Sequence, residues 1–236
     1  MMAPGFYNMD CMDAFPQFSD KFFDLAIVDP PYGISVAKHK GGKIVGGGGR
    51  KFGGKSNQSE KARSYDCINY HTFADNHPPD ESYFKELERV SKHRIIFGGN
   101  YMLDYLGKTS CMIVWDKCRR NLDQADCEIA WTDLSGQSRI FVWRWNGMLQ
   151  QDMKHKEKRI HPTQKPVALY SWILEKFAKP GMKILDTHVG SASSLIACER
   201  AGLDYWGFEI DPVYYQDAME RIETERSESN RKESDL

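Results

Sequence analysis

Four consecutive residues, Asp29-Pro30-Pro31-Tyr32, carry groups that suit a planar ring with an amino substituent. They follow the apolar run 22–28, which predicts a buried strand. Proline lacks a backbone donor and forces the preceding residue to be extended, so the strand is expected to end at Asp29. The Asp29 carboxylate and the Pro30 carbonyl would accept the two N–H bonds of the amine, and Tyr32 would stack on the ring. The alternative is a strand-ending turn with a packed tyrosine.

A second group of candidate residues follows the predicted strand 182–186. A turn leads from this strand into a helix, whose N-terminal N–H groups can bind an anion. Glu209 ends the next predicted strand, where its carboxylate could accept hydrogen bonds from ribose hydroxyls. The G-x-G-x-x-G pattern of dinucleotide sites is absent, and the looser turn suits a carboxylate better than a pyrophosphate. The segment therefore predicts a site for a nucleoside cofactor.

Asp10 is expected to follow a strand of its own, on the same sheet edge as Asp29. From there its carboxylate could accept a hydrogen bond from the adenine amino group of a cofactor. The same carboxylate could simply cap the short helix that the sequence predicts after it. Both interpretations fit the pattern.

Residues 38–63 combine many glycines with a one-sided charge, which Glu60 alone opposes. Such a segment does not form regular structure, and it predicts a mobile basic loop spanning 33–78 that contacts phosphate. Its basic residues are Lys38, Lys40, Lys43, Arg50, Lys51, Lys55, Lys61 and Arg63. In the segment 132–160, aromatic and basic residues around Arg144 alternate in a way that suits base stacking and phosphate contact. A β-hairpin packed on the domain explains that second pattern equally well.

The remaining elements define the fold that must position these residues. Predicted strands alternate with helices, which indicates an α/β domain with a mostly parallel sheet and helices on both faces. The strands 111–115 and 127–131 are joined by a short polar segment and could form an antiparallel pair at the sheet edge. A short helix is expected over 101–106. We expect one domain over residues 1–226, with 132–160 as a small target-recognition insertion, and a disordered tail at 227–236.

Composition narrows the classes of function. The chain has 236 residues and a formal net charge of −1, so any nucleic-acid surface must be a local patch. Its six cysteines form no C-x-x-C pair, so no metal site is predicted. We see no signal peptide and no apolar run long enough for a membrane span, and therefore expect a cytoplasmic protein without membrane contact.

Taken together, these motifs resemble the amino-directed DNA methyltransferases of the circularly permuted β group. Residues 29–32 are similar to their catalytic motif, and residues 186–193 with 207–211 to their cofactor motifs. The segment 161–166, His-Pro-Thr-Gln-Lys-Pro, is similar to the one that precedes the cofactor motif in this group. Trp115-Asp116-Lys117 also matches the group, and Phe97-Gly98-Gly99-Asn100 resembles compact phage or prophage adenine methyltransferases.

The resemblance implies a Rossmann-like, circularly permuted fold and transfer of a methyl group from S-adenosylmethionine to N6 of an adenine flipped out of double-stranded DNA. The catalytic residues would be Asp29, Pro30, Pro31 and Tyr32. The cofactor would contact Asp10, Cys11, Asp29, Thr163, Lys165, Asp186, Thr187, His188, Gly190, Ser191, Ser193, Glu209 and Ile210. A second copy of the chain and a cognate restriction endonuclease are further expected partners.

Two residues depart from the family pattern. His188 stands where the cofactor turn usually carries an aromatic residue, and Ala192 stands where it usually carries a second glycine. The fold is expected to survive both changes. Transfer to cytosine N4 and a DNA-binding relative without catalysis are the alternative functions. An RNA or protein substrate is less favoured, because such enzymes usually place the cofactor motif before the catalytic motif.

Overall fold

The computed structural model describes residues 2–34, 77–120, 125–146 and 149–234. Most of the predicted 33–78 loop lies outside the described residues, and so do six predicted DNA contacts, Lys38, Lys40, Lys43, Arg50, Lys51 and Lys55. The strands are β1 (Gly5–Asn8), β2 (Phe23–Val28), β3 (Ser91–Phe97), β4 (Met112–Asp116), β5 (Cys127–Thr132), β6 (Arg139–Val142), β7 (Trp145–Asn146), β8 (Leu149–Gln150), β9 (Lys183–Asp186) and β10 (Asp204–Glu209). The α-helices are α1 (Cys11–Ala14), α2 (Glu81–Val90), α3 (Val167–Phe177), α4 (Ser193–Arg200) and α5 (Pro212–Ser234).

Eight of these strands form one sheet in the order β1-β10-β9-β2-β3-β5-β4-β6. All the pairings are parallel except those of β5, which runs antiparallel to both β3 and β4. The predicted mostly parallel α/β sheet with an antiparallel pair is therefore confirmed. The pair lies one strand in from the edge, because β6 adds to β4 in parallel.

Both faces of the sheet are covered, which explains why its central strands are continuous apolar runs. Alternate residues of β2 point to opposite faces: Leu25 and Ile27 belong to one buried cluster, Ala26 and Val28 to the other. The first cluster includes residues of α3, α4 and α5, and the second includes residues of α1 and α2. The three-layer arrangement fixes strand register, since a one-residue slip would exchange the two buried sets.

Side-chain caps set the helix starts that the sequence predicts. Asp80 accepts hydrogen bonds from the backbone N–H groups of Ser82 and Tyr83 and so begins α2. Asp211 does the same for Val213 at the start of α5, where Pro212 is the first helical residue. None of the helices among the described residues is long and apolar enough to span a bilayer.

The C-terminal tail differs from the expectation. Helix α5 continues to Ser234 and covers residues 227–234, which the sequence predicts to be disordered. The segment is poor in apolar residues, but glutamate and arginine are good helix formers and extend a helix that packing has already nucleated. Arg226 also pairs with Glu199 of α4, at 2.5 Å, which holds this part of α5 against the domain.

The segment 132–160 contributes to the main sheet and carries a small hairpin of its own. Strand β6 pairs with β4, and β7 pairs with β8 in an antiparallel hairpin. Its aromatic rings are packed in the domain: Phe141 stacks on Trp143 with centroids 5.8 Å apart, and the buried Trp145 donates to the Gln164 carbonyl. The packing of these aromatic residues therefore favours the second interpretation, a hairpin packed on the domain. Arg144 remains exposed.

The prediction of a helix over 101–106 is wrong. Only a 3-10 turn, Gly99–Tyr101, follows β3, and the chain then continues through a further turn at Met102. Met102 and Leu106 are both buried at a spacing of four, which mimics a helical face. A segment this short does not offset the cost of nucleating a helix.

Gly98 follows β3 and packs against the ring of Tyr32. Its φ is +67°, and a Cβ added there would lie 2.2 Å from Cε1 of Tyr32. Only glycine allows both this backbone conformation and this close approach. Gly98 is thus the residue that lets the Tyr32 ring lie over the end of β3.

We predict that Gly98→Ala lowers the free energy of unfolding by about 1–3 kcal/mol through backbone strain and displacement of the Tyr32 ring. Gly107→Ala is the matched control, because an added Cβ there meets nothing within 4 Å, and its effect should stay within about 0.5 kcal/mol. Urea unfolding of both variants measures the difference. Equal stability of the two would contradict the steric argument.

Candidate active site

The sheet order brings the predicted site residues to one edge. Strand β9 lies between β2 and β10, and β1 pairs with β10 so that Asn8 faces Glu209. Because these four strands are parallel, the residues that end or follow them meet at the carboxyl edge of the sheet. Asp10, Asp29, Asp186 and Glu209 are these residues. Asp10 and Asp29 therefore follow strands at the same edge, as predicted, and Asp186 and Glu209 end the two strands between them.

The Asp29 carboxylate is held on both oxygens. Tyr32 donates its hydroxyl hydrogen to Oδ1 at 2.6 Å, and the Lys165 ammonium group pairs with Oδ2. The Asp29 side chain is 16% exposed, so the carboxylate is mostly buried but still reachable from the sheet edge. Burial raises the pKa of Asp29, although Lys165 opposes the shift.

An aromatic ring covers one face of Tyr32. Tyr101, which is 51% exposed, stacks on it with centroids 5.4 Å apart and planes inclined by 20°. Lys165 Nζ lies 5.7 Å from the centroid of the Tyr32 ring. The ring expected to hold a substrate base therefore already packs against an exposed tyrosine that sequence reasoning missed.

Behind Asp29, charged side chains of alternating sign form a buried chain. Lys165 lies 3.1 Å from Glu128 Oε2, and Lys117 pairs with the other oxygen of the same carboxylate. The positive charges of Lys165 and Lys117 outweigh burial and lower the pKa of Glu128 to about 2. Burial alone would lower the pKa of Lys165, but Asp29 and Glu128 raise it. Both members of the Lys165–Glu128 pair are therefore ionised at neutral pH.

The turn after β9 is held by its own carboxylate. Asp186 Oδ1 accepts from the backbone N–H of His188 at 3.0 Å, and Oδ2 accepts from the Ser194 hydroxyl. Burial raises the pKa of Asp186 to about 7. The carboxylate that ends β9 thus shapes the turn with both of its oxygens.

Glu209 connects the end of β10 to the same turn. Its carboxylate accepts from the backbone N–H of Gly190 at 2.8 Å and from that of Asp211 at 2.9 Å. Gly190 and Ala192 both have positive φ, +54° and +62°. Helix α4 begins directly after Ala192 without a side-chain cap. The turn therefore presents a helix N-terminus that no side chain caps within the described part of the chain.

An arginine of α5 fixes this turn by hydrogen bonds. Arg221 donates to the Ser191 carbonyl at 2.6 Å and to the Ser193 hydroxyl at 2.9 Å. Its second nitrogen pairs with Glu157 at 2.6 Å, and Glu157 in turn accepts from the first backbone N–H of α3, that of Val167. Ser191 and Ser193 are consequently buried and fixed by α5 rather than free to move.

His188 occupies a buried, aromatic environment. Its Nδ1 lies 2.9 Å from the Thr187 hydroxyl, which also contacts the Tyr83 hydroxyl at 2.7 Å. The Tyr83 and His188 rings meet edge to face, with centroids 5.5 Å apart. Burial lowers the pKa of His188 to about 4. The imidazole is therefore neutral at pH 7 and packs as an aromatic ring would.

The other predicted cofactor residues line the same edge in different settings. Asp10 caps α1 by accepting from the Met12 N–H at 2.8 Å, and Cys11 is buried, which raises the pKa of its thiol. The Thr163 hydroxyl lies 3.0 Å from His161 Nδ1. Ile210 is 66% exposed. Their contacts with a cofactor stay predictions.

Sequence reasoning missed several residues that the fold brings to the site. Glu128 is an ionisable residue inside an apolar strand, and that pattern is a signal for a buried ion pair. Lys117 lies in the Trp-Asp-Lys motif, but the motif names no partner for it. Tyr101 and Arg221 carry no sequence signal, because their roles depend on which strands and helices meet.

The neutral state of His188 has a measurable consequence. The unfolded chain binds a proton at this residue below about pH 6.5, whereas the folded protein binds it only below about pH 4. Stability is therefore lost as the pH falls through this window. We predict that His188→Phe reduces the slope of the free energy of unfolding against pH in this window by up to about 1.4 kcal/mol per pH unit.

Urea unfolding of the wild type and of H188F across this pH window measures the slope. His161, whose pKa burial also lowers, to about 3, leaves part of the slope in every variant. An unchanged slope in H188F would contradict the assignment.

Comparison with known proteins finds similar sequences and similar folds. Residues 115–220 match the N6_N4_Mtase family model, which describes a DNA methylase. The type II methyltransferase M2.DpnII of Streptococcus pneumoniae is 35% identical over 81 residues, 34% of this chain and 30% of that protein. The chain spans 23 to 30% of the length of such curated relatives.

Solved structures extend the likeness to the whole chain. The M1.HpyAVI–SAM complex has a TM-score of 0.53 at 18% identity and covers 92% of this chain and 98% of that one. The chain has the fold of DNA methyltransferases. The PvuII DNA methyltransferase, cytosine-N4-specific, gives a TM-score of 0.56 at 10% identity and covers 98% of this chain and 93% of that one.

Proposed function

We propose that this protein is an S-adenosylmethionine-dependent DNA methyltransferase that methylates N6 of an adenine flipped out of double-stranded DNA. The observation that carries the proposal is the Asp29 carboxylate. It is fixed on both oxygens at the end of β2, beside the turn that follows β9. A catalytic acceptor and a cofactor turn on adjacent strand ends are what direct transfer between two bound molecules requires.

The residues of this edge have defined tasks in the proposed reaction. An adenine amino group is a poor nucleophile, because its lone pair is delocalised into the ring. Hydrogen bonds from the amine to Asp29 and to the Pro30 carbonyl would localise that lone pair and orient it. The Tyr32 ring, with Pro31 fixing the chain before it, would hold the flipped base. Tyr101 must then share or vacate its position on Tyr32 when a base enters.

The residues around the β9 turn fit S-adenosylmethionine. The uncapped N-terminus of α4 suits its carboxylate, the Glu209 and Asp10 carboxylates suit its ribose and adenine, and the exposed Ile210 offers an apolar contact. When bound, this cofactor supplies an activated methyl group on a sulfonium. The M1.HpyAVI structure, which is a complex with SAM, supports the assignment.

Adenine is favoured over cytosine by the Asp-Pro-Pro-Tyr sequence, since the related cytosine-N4 enzymes often begin this motif with serine. The chain order, with the motif of β2 before the turn of β9, supports placement in the circularly permuted β group. The type II relatives support a restriction-modification context. Dimerisation, a partner endonuclease and a cytoplasmic location remain predictions.

We predict that Asp29→Ala abolishes methylation but leaves the affinity for S-adenosylmethionine within about tenfold. Asp29→Asn is a closer variant, since it keeps the shape while removing the charge that localises the lone pair. Mass spectrometry of DNA incubated with each protein detects the product and separates 6-methyladenine from N4-methylcytosine. Asp104→Ala, at an exposed position, is the control and should methylate normally. Substantial turnover by D29A would exclude the assigned role.

We predict that Glu209→Ala weakens S-adenosylmethionine binding by about 1.5–3 kcal/mol, because a charged acceptor for the ribose is lost. Calorimetry measures the affinity, and circular dichroism checks the fold. Glu223→Ala, at an exposed position of α5, is the matched control and should bind as the wild type does. Wild-type affinity in folded E209A would place the cofactor elsewhere.

A further inference from the structure

Protein oxygens surround the ammonium group of Lys165. It donates hydrogen bonds to Asp29 Oδ2 and Tyr32 Oη, and it forms an ion pair with Glu128 Oε2 at 3.1 Å. The Lys165 side chain is only 3% exposed. An ammonium group has only three donors, so two hydrogen bonds and an ion pair within the protein leave little of it for a ligand.

We propose that Lys165 is a positioning residue for Asp29, held in place by Glu128 and Lys117, and that it is not a cofactor ligand as its motif suggests. The inference rests on the proposed function and deepens it. Tyr32 and Lys165 each occupy one oxygen of the carboxylate and so fix its plane. The remaining lone pairs of the two oxygens are then left in defined directions for the amine.

Charge compensation explains why the arrangement needs Glu128. If Lys165 paired with Asp29 alone, its buried ammonium group would have too few partners. A buried charge is costly unless it is paired and hydrogen-bonded. Along Asp29, Lys165, Glu128 and Lys117 the formal charges alternate and cancel. This row of four charged side chains therefore orients Asp29 without adding net positive charge. Net positive charge at this place would repel the sulfonium of the cofactor.

The backbone of Lys165 connects the two halves of the proposed site. The Ser193 hydroxyl donates to the Lys165 carbonyl at 2.7 Å, and Ser193 also accepts from Arg221. The residue that fixes Asp29 with its side chain thus anchors the first residue of α4 with its main chain. This linkage sets the distance between the amine acceptor and the cofactor turn.

The electrostatic surroundings of Asp29 give the proposal a direct test. Its ionisation is influenced by groups on several elements: Lys165, Glu128, Tyr32, Asp186, Tyr83 and Tyr170. Among these groups, Lys165 favours the ionised carboxylate and Glu128 opposes it. Removal of either one must therefore move the titration of Asp29, and the two must move it in opposite directions.

The experiment follows Asp29 by its carboxyl ¹³C NMR signal, assigned with Asp29→Asn, in the full-length protein. Lys165→Met should raise the midpoint of the Asp29 titration, and Glu128→Gln should lower it. For K165M we expect a single-turnover methylation rate at least about tenfold lower at neutral pH, with partial recovery at higher pH, and S-adenosylmethionine affinity within about threefold. Lys85→Met, whose side chain is 69% exposed, is the control and should match the wild type in all three measurements.

The outcomes separate the two proposals. An unchanged Asp29 midpoint in folded K165M would overturn the positioning role. A large loss of S-adenosylmethionine affinity in folded K165M would overturn the statement that Lys165 is not a cofactor ligand. If K165M does not fold, E128Q decides, because it keeps both lysines and the side-chain shape, and an unchanged midpoint there also overturns the inference. Midpoints that shift as expected in a wild-type protein that methylates no DNA would retain the Lys165–Asp29 linkage and reject the proposed function.

Discussion

The parallel pairing of β2 with β9 is the constraint on which the site depends. Leu25 and Ala26 face Ile184 and Leu185 in this pairing, so the strands end side by side although they lie far apart in the chain. Both strands are buried on both faces, and a slip of one residue would move every side chain to the wrong layer. The positions of Asp29 and Asp186 are therefore set by the packing of the apolar core, not by contacts between the two carboxylates.

Buried ionic groups recur around this edge, and several are paired with an opposite charge. Lys165 balances Asp29 and Glu128, and Arg221 balances Glu157 beneath the turn after β9. Ion pairs of this kind add little net stability compared with apolar packing, but removal of one partner leaves a costly buried charge. These ion pairs therefore serve mainly to hold the side chains of the candidate site in place. Burial likewise explains why His188 is neutral, because it lowers the pKa of the ring more than the Asp10 carboxylate raises it.

Much of the fold could be predicted because local patterns coincide with it. Alternating strands and helices, the capping residues Asp80 and Asp211, and the antiparallel pair of β4 and β5 all follow from sequence. The failures have a common cause. The helix expected at 101–106 is replaced by a 3-10 turn, and the tail expected from composition to be disordered continues α5. In both cases the deciding factor was whether neighbouring structure supports a helix, which a local pattern does not contain.

The sequence by itself determined the local arrangement of the candidate site residues: an aspartate at a strand end followed by two prolines and a tyrosine, and a turn into a helix with a glutamate ending the next strand. These features depend on residue type and short-range spacing, which backbone stereochemistry translates directly into local structure. Only the tertiary structure decided what surrounds them. Lys165 and Glu128 come from distant segments, and they reach Asp29 because β5, β2 and the segment before α3 pack together. A buried charge finds its partner through the fold as a whole, and no local spacing in the chain specifies that partner.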